Sequence, residues 1–417
     1  MRGCRGMPRL LEELTAVILT HRDAPLDVVG SFESRVGEAY QILRGVVDEA
    51  VVLATCNRFE VYALPRRGFV ETVIGFLGEA SRYARILHGM DVVRHLFRVA
   101  AGLESAIIGE NEILGQVARA YEEARRRGVA GKYLGLLFSQ AVRTGKLVRS
   151  RTRISYGNVG APGAAVKLAR EAAGGFDGKH VVVVGAGEAG SIMASLVREE
   201  APTARISIVN RSVDRARELA GKVRGEAYGL DMLPKLLAAA DVVLVAVTVN
   251  EPVIKRSMLE DVGRHLVVVD ISNPPAVEQP IPSNVYYAGL RDVEKVIKEV
   301  LAVRIREVPK AEAIVEEQVA LLRKLWLKRG ADEAIAEIMR YANRVMEEEV
   351  EELVSRLRGL GVDGAALLVA RSFAYSLTKK LLRPLILYAH EAALEGSLSK
   401  LEEIAQKYRD ELARRQH

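Results

Sequence analysis

His180-Val181-Val182-Val183-Val184-Gly185-Ala186-Gly187-Glu188-Ala189-Gly190 is the stretch on which the fold turns. The valine run reads as a continuous apolar strand. It passes straight into a glycine-rich turn and then a helix. Gly185 permits the tight turn, Gly187 lets the backbone approach a pyrophosphate, and Gly190 lets helix and strand pack closely, with the phosphates at the helix N-terminus. A lone match of this kind is weak, but the pattern continues outward. Arg205 to Val209, Asp241 to Val247 and His265 to Ile271 read as further strands and Val213 to Ala220 as a helix, the alternation of a doubly wound Rossmann-type sheet. After the second strand stand Asn210-Arg211-Ser212, where selectivity for NAD usually calls for a carboxylate. Arg211 with Ser212 suits a 2′-phosphate instead. The expected cofactor is therefore NADPH, held by Gly185, Ala186, Gly187, Glu188, Ala189, Gly190, Asn210, Arg211 and Ser212. The plainer reading of Arg211, a solvated residue opening a helix, stays open.

Upstream, Leu14 to Thr20 reads as a strand, His21-Arg22-Asp23-Ala24-Pro25 as a turn, Val29 to Leu43 as a short helix, and Ala50 onward as a strand ending at Cys56. Ala54-Thr55-Cys56-Asn57-Arg58-Phe59-Glu60 thus sets one of two cysteines at a strand end beside a fixed cation. Arg58 is placed to hold a carboxylate or to lower a thiol pKa. The alternative, a small buried hydrophobe, stays open here. From Phe69 to Arg153 the pattern is helical, with Val92, Leu96 and Val99, then Ile113, Val117 and Tyr121, at helical spacing. His95 lies in the first of these helices. The stretch Gly102 to Gln116 sets Ser105, Glu110 and Gln116 between apolar residues, where they can hydrogen-bond a small polar substrate, Glu110 suiting an ammonium. Singly, each has a plainer reading: His95 as a core histidine, Glu110 and Ser105 as helix caps. Ser155 to Gly163 is rich in turn formers, which places a domain boundary there.

Beyond Leu290 the pattern is almost unbroken helix. Val315, Val319, Leu322 and Trp326 form one apolar stripe, and Ile335, Ile338, Ala342 and Val345 another; Pro309 is expected to kink or break it. So long a helix must bury its stripe against other domains or a second chain. Asp332 to His417 reads as an all-helical dimerisation domain, or as a helical subdomain of a monomer. A chain of 417 residues accommodates two or three domains. The net charge of +6 mildly favours an anionic partner. The two distant cysteines, without Cys-x-x-Cys or paired His and Cys spacing, argue against a disulfide scaffold or a zinc site, so no metal is expected. The start lacks the apolar core of a signal peptide, and the longest apolar run, Leu236 to Val249, is interrupted by Asp241 and too short to span a bilayer. These features predict a cytoplasmic protein with no membrane association.

A nicotinamide site and a candidate thiolate in one chain suggest hydride transfer to a thioester: the cysteine captures an activated acyl group, which is then reduced to an aldehyde. Two other readings compete. One is an NADP-dependent dehydrogenase of a small hydroxy or keto acid in which Cys56 is structural. The other is a non-catalytic NADP sensor that binds RNA or a partner through its helical tail.

Thr55-Cys56-Asn57-Arg58 with Glu60-Val61-Tyr62, His95 to Ala100 running into Gly102-Leu103-Glu104-Ser105, Gly109-Glu110, and Ile113-Leu114-Gly115-Gln116-Val117 resemble the signature blocks of glutamyl-tRNA reductase. The likeness covers essentially the whole chain, including His21 to Pro25, Gly145-Lys146 with Arg149, and Gly185 to Gly190 with Asn210-Arg211. It implies an N-terminal α+β catalytic domain binding glutamyl-tRNA over 1–155, the NADPH-binding domain over 156–290, a long connecting helix over 291–331 and a helical dimerisation domain over 332–417. It further implies that Cys56 attacks the ester linking glutamate to its tRNA. NADPH then reduces the thioester to glutamate-1-semialdehyde, the first step of tetrapyrrole synthesis, and a downstream aminotransferase is a possible partner. By the same match His95 sits near the nucleophile, and Thr55, Asn57, Arg58, Ser105, Glu110, Asn111, Glu112 and Gln116 receive the glutamyl group. Arg143, Lys146, Arg149, Arg151 and Arg153 form a candidate phosphate track. The sequence departs from the family pattern at Asn111-Glu112, where many members read Pro-Gln, and at Val159 to Gly163, where many carry a serine-containing segment.

Overall fold

The structure, a computed structural model, describes residues 11–157, 160–362, 364–395 and 398–414. Residues 1–10, on which the reading of the start rests, Asn158 and Val159 of the glycine-rich segment, and Ser397 and residues 415–417 of the charged tail lie outside this range. The chain forms two compact units. One comprises the residues up to Ala106, Glu110–Thr152 and the chain from Pro309 onward; the other comprises Ile107–Gly109 and Arg153–Val308.

The first unit holds an antiparallel sheet of β1 (Thr15–Thr20), β2 (Val47–Thr55), β3 (Arg58–Pro65) and β4 (Arg85–His88) in the order β2-β3-β1-β4. β1 is buried along its whole length. The region expected as one helix over Val29 to Leu43 is split into α1 (Leu26–Gly30) and α2 (Val36–Ile42), with a 3-10 turn over Glu33–Arg35. The break follows Gly30-Ser31, where the Ser31 hydroxyl donates to the Val28 carbonyl at 2.7 Å and ends the first helix locally. β4 was hidden inside the expected helical stretch. It is a four-residue edge strand whose outward residues carry no apolar alternation, so it leaves little period-two signal.

Helices α3 (Phe69–Leu77), α4 (Met90–Ala101), α5 (Glu112–Arg126) and α6 (Lys132–Arg151) complete the N-terminal region. In the second unit, α7 (Ala161–Ala173) leads to β5 (His180–Val184), α8 (Glu188–Glu200), β6 (Arg205–Val209), α9 (Val213–Val223), β7 (Glu226–Tyr228), α10 (Leu233–Ala239), β8 (Val242–Val245), α11 (Arg256–Glu260), β9 (Leu266–Asp270) and β10 (Val285–Ala288). All six strands are parallel, in the order β10-β9-β8-β5-β6-β7. Successive residues of β5 feed opposite faces: Val181 and Val183 pack with Met193 and Val197 of α8, while Val182 and Val184 pack with Leu233 and Leu237 of α10. A valine run serves both layers, as a doubly covered parallel strand requires. β7 and β10, which the sequence did not announce, are edge strands of three and four residues.

α12 runs unbroken from Leu290 to Gly359, with Pro309 inside it. The expected break does not occur. Pro309 is exposed, so water can satisfy the carbonyl one turn back that loses its donor. The proline nevertheless marks the point where the helix passes from one compact unit to the other. Beyond it, Val315, Val319, Leu322 and Trp326 are buried, and the Trp326 ring lies 4.9 Å from that of Tyr133 on α6. α13 (Ala365–Leu394) and α14 (Leu398–Arg414) follow. Among the described residues, no helix is long and apolar enough to cross a membrane.

Candidate active site

Cys56 and Asn57 are the two loop residues of the β2–β3 hairpin, whose last pair is Thr55 opposite Arg58. Cys56 is exposed, which overturns its reading as a small buried hydrophobe. The loop is tied down from both sides. The Asn57 N–H donates to Thr55 Oγ1 at 3.2 Å, and the Asn57 carbonyl accepts from the His21 backbone N–H at 2.9 Å. The His-x-x-Ala-Pro turn thereby backs, through His21, the loop that presents the thiol.

Two residues beyond the thiol, Arg58 opens a buried polar chain. Arg58 is 1% exposed, against the expectation of a guanidinium offered to substrate. It donates to Glu60 Oε1 at 2.9 Å and to the Glu104 carbonyl at 2.9 Å. Strand alternation explains the direction, since Arg58, Glu60 and Tyr62 share one face of β3. Glu60 accepts from Tyr62 Oη at 2.5 Å on its other oxygen, and its Oε1 lies 3.1 Å from His95 Nε2. Burial alone would raise the Glu60 carboxyl, but the charges of His95 and Arg58 and the hydrogen bonds to it win and hold it at about 2. An ionised carboxylate only accepts, so Nε2 is the donor in this contact and Nδ1 is the ring nitrogen not engaged by Glu60. Burial, reinforced by the Glu60 charge, pushes the Tyr62 hydroxyl well above its usual value. Glu104 forms a second node, paired with Arg22 and, at 2.6 Å, with Arg98. Burial opposes its ionisation, yet these two arginines hold it below the ordinary carboxylate range. Glu60, Tyr62, Glu104, Arg22 and Arg98 had no role assigned from sequence. The available signal was a carboxylate flanked by the apolar Phe59 and Val61 within a strand.

Ser105 follows directly on this network. It is 3% exposed, and its hydroxyl oxygen has no protein partner among the described residues. Such an orphan is costly unless a ligand or water uses it. Glu110 and Gln116 are half-buried, whereas Asn111 and Glu112 are exposed at the start of α5, where the Glu112 charge complements the helix dipole. Arg149, expected on the phosphate track, is committed elsewhere: it donates to the Glu110 carbonyl at 2.6 Å, to the Ala100 carbonyl at 2.7 Å and to Asn111 Oδ1 at 3.3 Å. Arg143, Lys146 and Arg151 remain exposed on α6, and Arg153 stacks its guanidinium 4.2 Å from the Tyr156 ring.

Gly145 explains the spacing to Arg149. A Cβ there would lie 2.5 Å from the Ala100 carbonyl oxygen, so only glycine lets α6 approach the end of α4 closely enough for Arg149, one turn on, to reach Ala100 and Glu110. Gly145→Ala is expected to cost about 1–3 kcal/mol through overpacking. The melting temperature of the variant would report it.

In the second unit, a cleft of about 300 Å³ is lined by Gly187, Glu188, Ala189, Ala246 to Thr248 and Ile271 to Asn273. It opens at the carboxyl ends of β5, β8 and β9, where the strand order reverses direction, the usual ligand crevice of such sheets. Gly185 has φ +112°, and a Cβ on it would sit 2.1 Å from the Ala246 oxygen; on Gly190 it would sit 2.0 Å from the Gly185 oxygen. A Cβ on Gly187 would meet nothing within 4 Å, the open approach a pyrophosphate needs. Asn210 acts on the turn itself, accepting from the Ala186 N–H at 3.3 Å. The Ser212 hydroxyl accepts from the Arg215 N–H at 3.5 Å as the cap of α9, and Arg211 is exposed. The cleft floor rests on buried Asp270, which accepts from the Ser272 and Ala276 N–H groups at 2.9 and 2.7 Å; neither Asp270 nor Ser272 was anticipated.

A parallel sheet with this cleft at its switch point marks the second unit as a NAD(P)-binding domain of the Rossmann type. Residues 17–152 match the family model for the glutamyl-tRNAGlu reductase N-terminal domain, 167–314 that for shikimate / quinate 5-dehydrogenase, and 310–409 that for the glutamyl-tRNAGlu reductase dimerisation domain. The chain is 40% identical over 420 residues to a glutamyl-tRNA reductase of Ignicoccus hospitalis, covering 97% of this chain and 93% of the relative. It is 38% identical to one of Aeropyrum pernix, covering 85% of each. Among solved structures, the glutamyl-tRNA reductase of Methanopyrus kandleri superposes with a TM-score of 0.72 at 30% identity, over 95% of this chain and 99% of that one. The chain belongs to the glutamyl-tRNA reductase family. The dehydrogenase match concerns its middle region, which is flanked on both sides by domains of this family.

Proposed function

We propose that this chain uses NADPH to reduce glutamyl-tRNA to glutamate-1-semialdehyde, the first step of tetrapyrrole synthesis, through a glutamyl thioester on Cys56. Family membership supports the reaction, and the mechanism rests on one observation: the thiol is exposed at the tip of a hairpin loop whose base is a buried ion-pair network. The Cys56 sulfur attacks the ester carbonyl, the bond to the ribose oxygen breaks, and the thiol proton ends on that oxygen as the tRNA leaves. His95, whose Nδ1 is the ring nitrogen not engaged by Glu60, is the group suited to carry that proton. NADPH, when bound, supplies the hydride that the thioester carbonyl accepts. Cleavage of the carbon–sulfur bond then returns the thiolate and frees the aldehyde.

The glutamyl group is assigned to Thr55, Asn57, Ser105, Glu110 and Gln116, with Arg58 holding the site's base. The orphan Ser105 hydroxyl supports this, as does Arg149, which grips the Glu110 main chain and leaves the carboxylate for an ammonium. Asn111 and Glu112, exposed at the rim, belong to the same assignment. The division into a catalytic domain over 1–155, an NADPH domain over 156–290, a connecting helix over 291–331 and a dimerisation domain over 332–417 completes the reading. A homodimer is supported by an apolar groove of about 710 Å³ between α12 and α13, lined by Ile338, Ala342 and Val345 of the second stripe, and by exposed Phe373, Leu377 and Leu381. The setting is cytoplasmic, with the aldehyde passed on to an aminotransferase.

NADPH absorbance is expected to fall on addition of glutamyl-tRNA and to stay level with free glutamate or uncharged tRNA; no fall with glutamyl-tRNA overturns the proposal. Arg211 is assigned to the 2′-phosphate. Arg211→Ala should weaken NADPH about ten- to a hundredfold, the worth of one charged hydrogen bond, and leave NADH unchanged. Equal effects on both would remove Arg211 from the site.

A further inference from the structure

Arg304 is a charged side chain in the second unit that is only 3% exposed, and it is spent on main-chain carbonyls. Its guanidinium donates to the Ile108 carbonyl at 2.8 Å, to the Tyr156 carbonyl at 2.9 Å and to the Gly157 carbonyl. These acceptors come from two segments far apart in sequence: the end of the stretch leading to Glu110, and the chain just after α6. Gly109 is held in the same knot. It has φ +75°, and a Cβ on it would lie 1.8 Å from the Ile154 oxygen, so the two segments touch backbone to backbone where Arg304 clasps them. Gly109 is also the last residue of the stretch that belongs to this unit, and the next peptide bond leads to Glu110. A planar fork with several donors suits such a clasp, since it satisfies carbonyls from separate segments at once.

We propose that Arg304 is a positioning residue for the reaction: by holding the Ile108 carbonyl, it fixes the chain two residues before Glu110 and so sets where the Glu110 carboxylate meets the glutamyl ammonium. The inference rests on the assignment of Glu110 to the glutamyl group. Arg304 touches no reacting atom; it acts through the loop. A misplacement of about 1 Å in a substrate contact lowers a rate on the order of a hundredfold, and Arg304→Ala is expected to lower single-turnover acylation of Cys56 by roughly ten- to a hundredfold by that route.

The test measures acylation by radiolabelled glutamyl-tRNA without NADPH, in the full-length protein, for wild type, R304A, E110Q and the double variant. NADPH affinity and melting temperature are measured in parallel. R304A is expected to acylate slowly while binding NADPH as wild type does, and the double variant to be no slower than the slower single one, because both changes remove the same contact. R304K, which keeps the charge and some of the reach, should recover some of the rate. Multiplying defects in the double variant, or loss of NADPH affinity in step with acylation, would show a general structural role and overturn the inference. Wild-type acylation by R304A beside a defective E110Q overturns the inference alone. Wild-type acylation by E110Q overturns the assignment of Glu110 and the inference with it. Should R304A fold poorly, R304K carries the same comparison.

Discussion

Cys56→Ser is expected to lower NADPH oxidation with glutamyl-tRNA by at least about 10⁴-fold, since loss of an attacking nucleophile removes most of the chemical acceleration at once. The change is one atom at an exposed loop position, so melting temperature and NADPH affinity should match the wild type. This separates the three readings of the chain. A dehydrogenase of small hydroxy or keto acids with a structural cysteine would keep its activity in C56S, and a nucleotide sensor would show no turnover in either protein. The exposure of the thiol already weighs against a structural role, because a packing cysteine would be covered.

Glu60→Gln is expected to be the most damaging change behind the thiol. The substitution keeps the shape and removes the charge that Arg58 and His95 face, leaving a guanidinium 1% exposed without its counter-charge. Breaking a buried pair from one side costs about 3–5 kcal/mol. It also leaves the His95 tautomer unselected, so acylation should fall together with stability. Glu60→Gln should change the pH response as well. The Glu60 carboxyl is held at about 2 against an ordinary 4.5, a gap worth about 3 kcal/mol at roughly 1.4 kcal/mol per tenfold. A depressed folded value means the contribution is complete above pH 4.5 and is lost as the pH falls from 4.5 toward 2. The melting temperature of the wild type should drop across that window, and E60Q should lack that share of the drop. An E60Q protein that melts and acylates like the wild type would show that the network supports neither the fold nor the chemistry.

The nucleotide unit was legible because its signals are local: a valine run, three glycines with separate steric duties, and strands recurring at regular distance. Its short edge strands, β7 and β10, were not, since three or four residues hold too little period to read. The candidate site of the N-terminal region could be proposed as a set of residues and much less as an arrangement. Cys56, Ser105 and Glu110 could be named from their chemistry and from the family resemblance. That Arg58 turns inward to Glu60, and that Arg149 serves the Glu110 backbone rather than a phosphate, depends on which face of β3 is buried and how closely α6 meets α4. Both are tertiary facts with no linear signature. Pro309 shows the opposite failure, a strong local rule overridden because the proline sits on the wet side of a helix long enough to absorb one missing bond.

The covalent step at Cys56 is the centre of the proposed mechanism. Incubating the protein with glutamyl-tRNA in the absence of NADPH, quenching in acid and examining the Cys56 peptide by mass spectrometry tests it most directly. The expected product is a glutamyl adduct on Cys56 that is cleaved by hydroxylamine and consumed when NADPH is added before the quench. An unmodified Cys56 peptide in a preparation that goes on to reduce glutamyl-tRNA would contradict it.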